Sequence, residues 1–191
     1  MMKPILKSIA MLVVVLFSNS VFAELTYQQL QDISASPERI EGSFEQRKYL
    51  AEIGVSLDSS GVFSYQRSEK IVWKTLEPVE NEMQMTPTTI INSQQGREVA
   101  RLDSHDNPAI AVFSDIFFSI LTAQWPKLAE HFKLQGKLDK QQWSAQLVPI
   151  DSNIKKMISL VELQGDKLLR SIVLHEAQGD KTSIIFEYST R

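Results

Sequence analysis

Three histidines, His105, His131 and His175, are the residues best suited to acid–base or metal chemistry, but they share no metal-ligand spacing. The sequence contains no cysteine, so a zinc site would need carboxylate help that no local cluster supplies. No G-x-S-x-G elbow, glycine-rich phosphate loop or H-E-x-x-H pair occurs. Glu38, Glu41 and Glu45 crowd one segment, and Glu80 and Glu82 another. Paired carboxylates can cleave glycosidic bonds, yet acids alternating along a strand form its solvated face. The expectation is a protein that is not an enzyme, with no metal and no cofactor. A hydrolase acting on acyl chains would need a nucleophile beside a base, and none is recognisable.

One charged residue is placed unusually. In "GVFSYQRSEKIVW", residues 61–73, Phe63 and Tyr65 share a strand face because side chains two apart point the same way. Arg67 continues that face, and Ile71 and Trp73 resume an apolar pattern after a short break. A charge in line with apolar neighbours costs free energy unless something pairs it. Arg67 is therefore either a solvated strand end or a group whose five donors the protein uses.

The other unusual feature is apolar. Phe44, Phe63, Trp73, Met83 and Met85 gather in the first half of the chain, and a later helix carries an apolar face of its own. Two pictures fit: an ordinary core under a helix, or a sheet curved around a cavity with the helix as its lid. Methionine suits the second, since a flexible thioether adapts to varied apolar ligands.

The elements that must position these residues can be read from period and punctuation. In "ELTYQQLQDISASPE", Thr26 and Gln29 have capping-box spacing, and Leu25 and Leu30 stand where a hydrophobic staple closes. A short helix to about Ser34 follows, stopped by Pro37. From Arg39 the period becomes two: Ile40, Gly42 and Phe44 alternate with polar residues. Further strand patterns follow up to residue 102, with turn signals at Glu77-Pro78, Thr86-Pro87 and Gln95-Gly96. Residues 110–132 break the pattern, since Phe113, Ile116, Phe117, Ile120 and Leu121 have helical spacing. Trp125-Pro126 should end that helix, with Pro126 opening a second one through Phe132. Strand patterns then return to the end, with hairpin turns at Gly165-Asp166 and Gly179-Asp180. About nine strands, a leading helix and a helical insertion make an all-β sheet with helical additions.

Composition bounds the setting. Lys3 and Lys7 precede the apolar run Ile9 to Phe17, followed by small and polar residues up to Ala23. This is the layout of a secretory signal, with a run too short to span a bilayer. Residues 1–23 are read as a cleaved signal peptide and 24–191 as one domain. Removing two of the 20 basic residues leaves 18 against 23 acidic ones, a formal charge of −5. The basic residues are scattered, so nucleic acid is not an expected partner.

Arranged in order, three stretches resemble the LolA family, periplasmic carriers that take lipoproteins toward the outer membrane. The first is Phe44-Glu45-Gln46. In the second, Gly61, Phe63, Tyr65, Arg67, Ile71, Trp73 and Pro78 stand at the family's pattern positions, with Ser68 where a proline is usual. The third is the closing stretch, with Gly179-Asp180 and Thr182 to Phe186.

The resemblance implies a mainly β fold. It would be a curved, incomplete antiparallel β-barrel with an N-terminal helix and a central helical lid enclosing an apolar cavity. Acyl chains would meet Phe44, Phe63, Tyr65, Ile71, Trp73, Met83 and Met85 on the sheet and Ile116, Phe117, Ile120 and Leu121 on the lid. Arg67 would sit inside the cavity and bond lid backbone, setting how readily the carrier opens. Implied partners are an acylated lipoprotein or lipid cargo, an inner-membrane release complex and an outer-membrane acceptor. The expected setting is the periplasm of a Gram-negative bacterium, as a monomer touching membrane surfaces only transiently. A periplasmic lipid-sensing regulator of the same fold, or a carrier of a non-lipoprotein lipid, remains the alternative.

Overall fold

A computed structural model describes residues 24–67, 69–106 and 108–189; the expected signal peptide lies outside them. The chain opens with α1 (Tyr27–Ile33). The Thr26 side chain accepts from the Gln29 backbone N–H and the Gln29 side chain caps the Thr26 N–H, so the capping box forms. Leu25 and Leu30, the two halves of the staple, are both buried.

Six strands follow: β1 (Arg39–Leu50), β2 (Val55–Gln66), β3 (Lys70–Glu77), β4 (Asn81–Met85), β5 (Thr89–Gln94) and β6 (Arg97–Asp103). Helix α2 (Pro108–Leu121) and a 3-10 helix, Trp125–Glu130, interrupt them. The second half comprises β7 (Phe132–Asp139), β8 (Gln142–Pro149), a short α3 (Ser152–Lys155), β9 (Ile158–Gly165), β10 (Leu169–Glu176) and β11 (Lys181–Tyr188). All strands pair antiparallel in one sheet of order β6-β5-β4-β3-β2-β1-β11-β10-β9-β8-β7. Strands β6 and β7 are its two edges and do not meet, so the barrel is incomplete.

The expected strand patterns are all present, but the described residues form eleven strands rather than about nine. The helix also ends earlier than Trp125-Pro126 suggested. Ala123 takes a positive φ of 55° and Gln124 N–H turns back to the Ser119 carbonyl, which closes α2 at Leu121. Pro126 then lies at the start of the 3-10 helix. Turn chemistry behaves as read: Gln95 and Gly96 both have positive φ, 49° and 74°, as a two-residue hairpin needs.

One face of the sheet is buried over much of its middle, while β6 and the β1–β2 hairpin end stay exposed. In β1 it carries Ile40, Gly42 and Phe44; in β2 Gly61, Phe63 and Tyr65; in β3 Ile71 and Trp73. Helix α1 and the 3-10 helix cover the β7–β8 end: Leu25 N–H bonds the Gly136 carbonyl, the Tyr27 hydroxyl bonds the Phe132 carbonyl, and Trp125 meets Trp143 edge-on at 5.3 Å. Helix α2 covers the β2–β5 end, where its Phe117 and Phe118 reach Trp73 and Tyr65. Among the described residues no helix is long and apolar enough to cross a membrane.

Candidate functional site

The site grows from two glycines. In the β1–β2 register Phe44 faces Gly61 and Gly42 faces Phe63. A Cβ on Gly61 would stand 2.9 Å from the Phe44 ring, and one on Gly42 2.9 Å from the Phe63 ring. Each aromatic therefore lies across the strand beside it, a use of glycine that close approach requires. Laid flat in this way, the Phe44 ring stacks on Trp73 at 4.0 Å between centroids.

Trp73 is the centre of the cluster. Phe63 and Phe186 lie 6.0 Å from it, Phe117 of α2 6.3 Å away, and Phe186 closes back on Phe63 at 5.3 Å. Cross-strand pairing adds Met83 opposite Trp73 and Met85 opposite Ile71. Phe44, Phe63, Tyr65, Ile71, Trp73, Met85, Ile116, Ile120 and Leu121 are buried in one continuous core, with Met83 and Phe117 half-buried against it. The apolar residues picked out in sequence are thus brought together, and their side chains fill the space between α2 and the sheet. Phe113 is different. It stacks on Phe117 at 6.2 Å but remains 39% exposed, so it forms the outer lip of α2 rather than core.

Arg67 takes a place that the resemblance does not imply. It follows the end of β2, its side chain 35% exposed at the rim, with its backbone N–H on the Glu38 carbonyl. Its guanidinium donates to the Ser36 carbonyl and, at 3.1 Å, to the Ser36 hydroxyl; Nε lies 3.4 Å from a Glu38 carboxylate oxygen. Its hydrogen bonds among the described residues therefore go to the segment between α1 and β1, not to lid backbone. The lid is reached at one remove: the Ser36 hydroxyl donates to the Thr122 carbonyl, 2.9 Å away, just past the end of α2.

Beside this relay lies the Tyr65 hydroxyl. Burial pushes its pKa up, while Arg67 and Thr122 pull it down. No partner among the described residues meets it with hydrogen-bond geometry. Helix α2 is also tied by an ion pair from Asp115 to Lys127 at 3.8 Å. Toward its N-terminal end Val112 and Phe113 are exposed.

Sequence reasoning missed Ser36, Thr122, Phe118, Phe186 and Tyr188. Period-two alternation through "TSIIFEYST" places Ile184, Phe186 and Tyr188 on one face and could have found the last two. Ser36 carries no such signal, since a serine before a proline reads only as a helix stop. No group of three potential metal ligands occurs among the described residues. Histidines 105 and 131 stay outside the cluster, and His175 pairs with Glu162 at 2.8 Å. A groove of about 600 Å³ lies around Arg47, Asp58 and Pro78, and one of about 300 Å³ beside Gly42, Phe63 and Lys74.

A family model described as outer membrane lipoprotein carrier protein LolA matches residues 35–191. Among solved structures, the chain is similar to a LolA superfamily protein from Nitrosomonas europaea, with TM-score 0.43 and 9% identity over 87% of this chain and 94% of that one. It is similar to LprF from Mycobacterium bovis, with TM-score 0.39 and 12% identity over 86% and 93%. A third similar structure is MucB in complex with MucA(peri), TM-score 0.40 and 12% identity; 86% of this chain aligns with 56% of that one. No curated protein matches the sequence.

Proposed function

The chain belongs to the LolA family of outer membrane lipoprotein carrier proteins, and from that premise we propose that it binds acyl chains between α2 and the sheet and shuttles the attached cargo across the periplasm. The observation that carries the reading is the surface around Trp73. Four aromatic rings and two methionines of the sheet form an apolar platform covered by a helix whose polar side-chain ties, among the described residues, lie in and just beyond its C-terminal half. Such a helix can swing about its C-terminal end, with Phe113 and Val112 at the moving lip.

An acyl chain entering there would replace side-chain packing with its own methylenes. Each methylene removed from water contributes about 0.8 kcal/mol, so several chains bind firmly without directional contacts. Phe44, Phe63, Tyr65, Ile71, Trp73, Met83 and Met85 would form the floor, and Ile116, Phe117, Ile120 and Leu121 the roof. Methionine at two floor positions lets the surface follow different chains. Arg67 would act through Ser36, holding the end of α2 while the rest of the lid moves. Delivery then requires a donor at the inner membrane and an acceptor at the outer one.

The reading is tested by native mass spectrometry of the protein purified from periplasm, followed by extraction of what travels with it. Acylated protein or lipid is the expected companion. An empty protein that also ignores fluorescent fatty-acyl probes would overturn the proposal.

A further inference from the structure

The large apolar side chains left most exposed among the described residues are Val79, Ile53 and Met157, at 65%, 64% and 60%, and Ile150 follows at 51%. Exposed hydrophobics scattered singly mean little, but these four are not scattered. All strands are antiparallel, so the connections β1–β2, β3–β4, β5–β6, β8–β9 and β10–β11 lie at one end of the sheet. The connections β2–β3, β4–β5, β7–β8 and β9–β10 lie at the other. Ile53, Val79, Ile150 and Met157 all stand in connections of the first end. Among the described residues, no large hydrophobic is exposed in the four connections of the second end.

Hydrogen bonds hold part of the first end together as one rim. The Ala51 N–H donates to the Asp180 carboxylate at 2.9 Å, which ties the β1–β2 tip to the β10–β11 turn. The Ala177 N–H donates to the Met157 carbonyl at 2.9 Å, which ties that turn to the α3 connection. Asp151 caps α3 by accepting from the Asn153 and Ile154 N–H groups, and Ile154 is buried. Ile150 and Met157 are therefore held outward on an anchored helical turn, in the same rim as Ile53. On the inner face, exposed Val55 and Leu57 lie in the same row of β2 as Phe63. Apolar surface, broken at Ser59, thus leads from the rim toward the Trp73 platform.

Charge favours one kind of occupant. Lys155 and Lys156 are exposed next to Met157, and Lys133 is exposed on β7 opposite Val148, itself exposed. The acid of the connection, Asp151, is occupied by the cap. Elsewhere on the rim Lys48 pairs with Glu176 and Asp180, and Lys74 with Glu80 beside Val79. Glu52 next to Ile53 and Glu130 before β7 are exposed. The α3 corner is thus the basic part of the rim, with apolar side chains between its lysines. Separate apolar tips interleaved with lysines suit a fluid anionic interface, which admits each tip without a matching pocket. A folded partner would have to offer a pocket for each.

We propose that the rim formed by the β1–β2 tip and the α3 connection docks on an anionic phospholipid surface, with Ile53, Ile150 and Met157 entering the interface and Lys133, Lys155 and Lys156 resting on lipid phosphates. The inference goes beyond the acyl-binding reading, since docking needs neither a moving lid nor a bound chain. The contact is weak and reversible: each lysine near an anionic surface contributes about fivefold to partitioning, and three apolar side chains enter. Docking in this way turns one end of the barrel toward lipid and leaves the end bearing Arg67 and Ser36 away from it.

The experiment is sedimentation of the purified protein with sucrose-loaded vesicles of phosphatidylcholine alone, and of phosphatidylcholine and phosphatidylglycerol in equal parts. Binding should be at least about tenfold tighter to the anionic vesicles at low salt, and the difference should shrink as salt rises. Ile53→Ser combined with Met157→Ser should weaken partitioning onto anionic vesicles about tenfold. Lys155→Gln combined with Lys156→Gln should remove most of the lipid preference. These side chains are exposed, so both variants should melt with the wild type. Val99→Ser, also exposed but on the edge strand β6, is the control and should change nothing. No binding to anionic vesicles, or binding that the rim variants leave intact, would overturn the proposal. So would a dimer in sedimentation velocity that the Ile53→Ser, Met157→Ser protein loses, since the rim would then receive a second copy. Uptake of a fluorescent acyl probe from solution is read in parallel. Its failure alone overturns the acyl-binding reading, and absence of vesicle binding alone overturns the rim.

Discussion

The Ser36 hydroxyl stands between Arg67 and the end of the lid, accepting from the guanidinium at 3.1 Å and donating to the Thr122 carbonyl at 2.9 Å. A serine hydroxyl can do both at once, and here it ties three separate segments through one oxygen. The arginine that interrupts an apolar strand face thus has its partners in the link between α1 and β1.

This relay predicts coupling. Ser36→Ala should cost about 1 kcal/mol of stability and speed the uptake of an acyl probe. Arg67→Leu should leave the fold intact while changing release of cargo. Because both act on the same end of α2, their effects on probe kinetics should fall short of additive in the double variant. Stopped-flow fluorescence on the four proteins reads this directly, and strictly additive effects would dissolve the relay.

Trp73 supports rings from four other elements, β1, β2, β11 and α2. Trp73→Ala should lower stability by about 3–5 kcal/mol, the usual cost of removing a buried large aromatic. Urea denaturation measures it. A loss under 1 kcal/mol would mean that the platform is loosely packed and already adaptable.

At Gly61 an added Cβ would lie 2.0 Å from the Lys74 carbonyl oxygen, a backbone atom that cannot move alone. Gly61→Ala should therefore disturb the β2–β3 pairing and destabilise by at least about 2 kcal/mol. The comparison is Gly96→Ala, where nothing lies within 4 Å and only the positive φ is strained. Thermal melts of the two variants should rank Gly61→Ala well below Gly96→Ala.

Burial pushes the Tyr27 hydroxyl up to about 12 from its ordinary value of 10.0. The folded chain then holds a proton that the unfolded chain releases above pH 10, so this contribution is complete below pH 10 and is lost as pH rises toward 12. Tyr27→Phe also loses the 2.9 Å bond to the Phe132 carbonyl and should be about 1 kcal/mol less stable at pH 7. Its stability should nevertheless fall less steeply between pH 10 and 12. Chemical denaturation across that range gives the two slopes, and parallel slopes would refute the assignment.

Much of the fold was legible because it is written in local rules. The Thr26–Gln29 capping box, the Gln95-Gly96 turn and the period-two stretches from Ile40 to Trp73 depend on neighbours within a few residues. Sidedness followed as well: a strand's period assigns Phe44, Phe63, Tyr65 and Trp73 to one face each, and a single sheet makes those faces common. The end of α2 was misjudged by four residues because Ala123, which bears no helix-stopping signal, adopts the turn that closes it.

What the sequence determined by itself is a set of amphipathic strands and helices, one charge in line with apolar neighbours, and a family membership carried by the order of short motifs. Which groups meet was decided only in three dimensions. Ser36 and Thr122 are 86 residues apart and Ser36 and Arg67 31 apart, and no periodicity links them. Hydrogen-bond partnership depends on ångström-scale approach, which the sheet order and the seat of α2 impose after the local rules have acted.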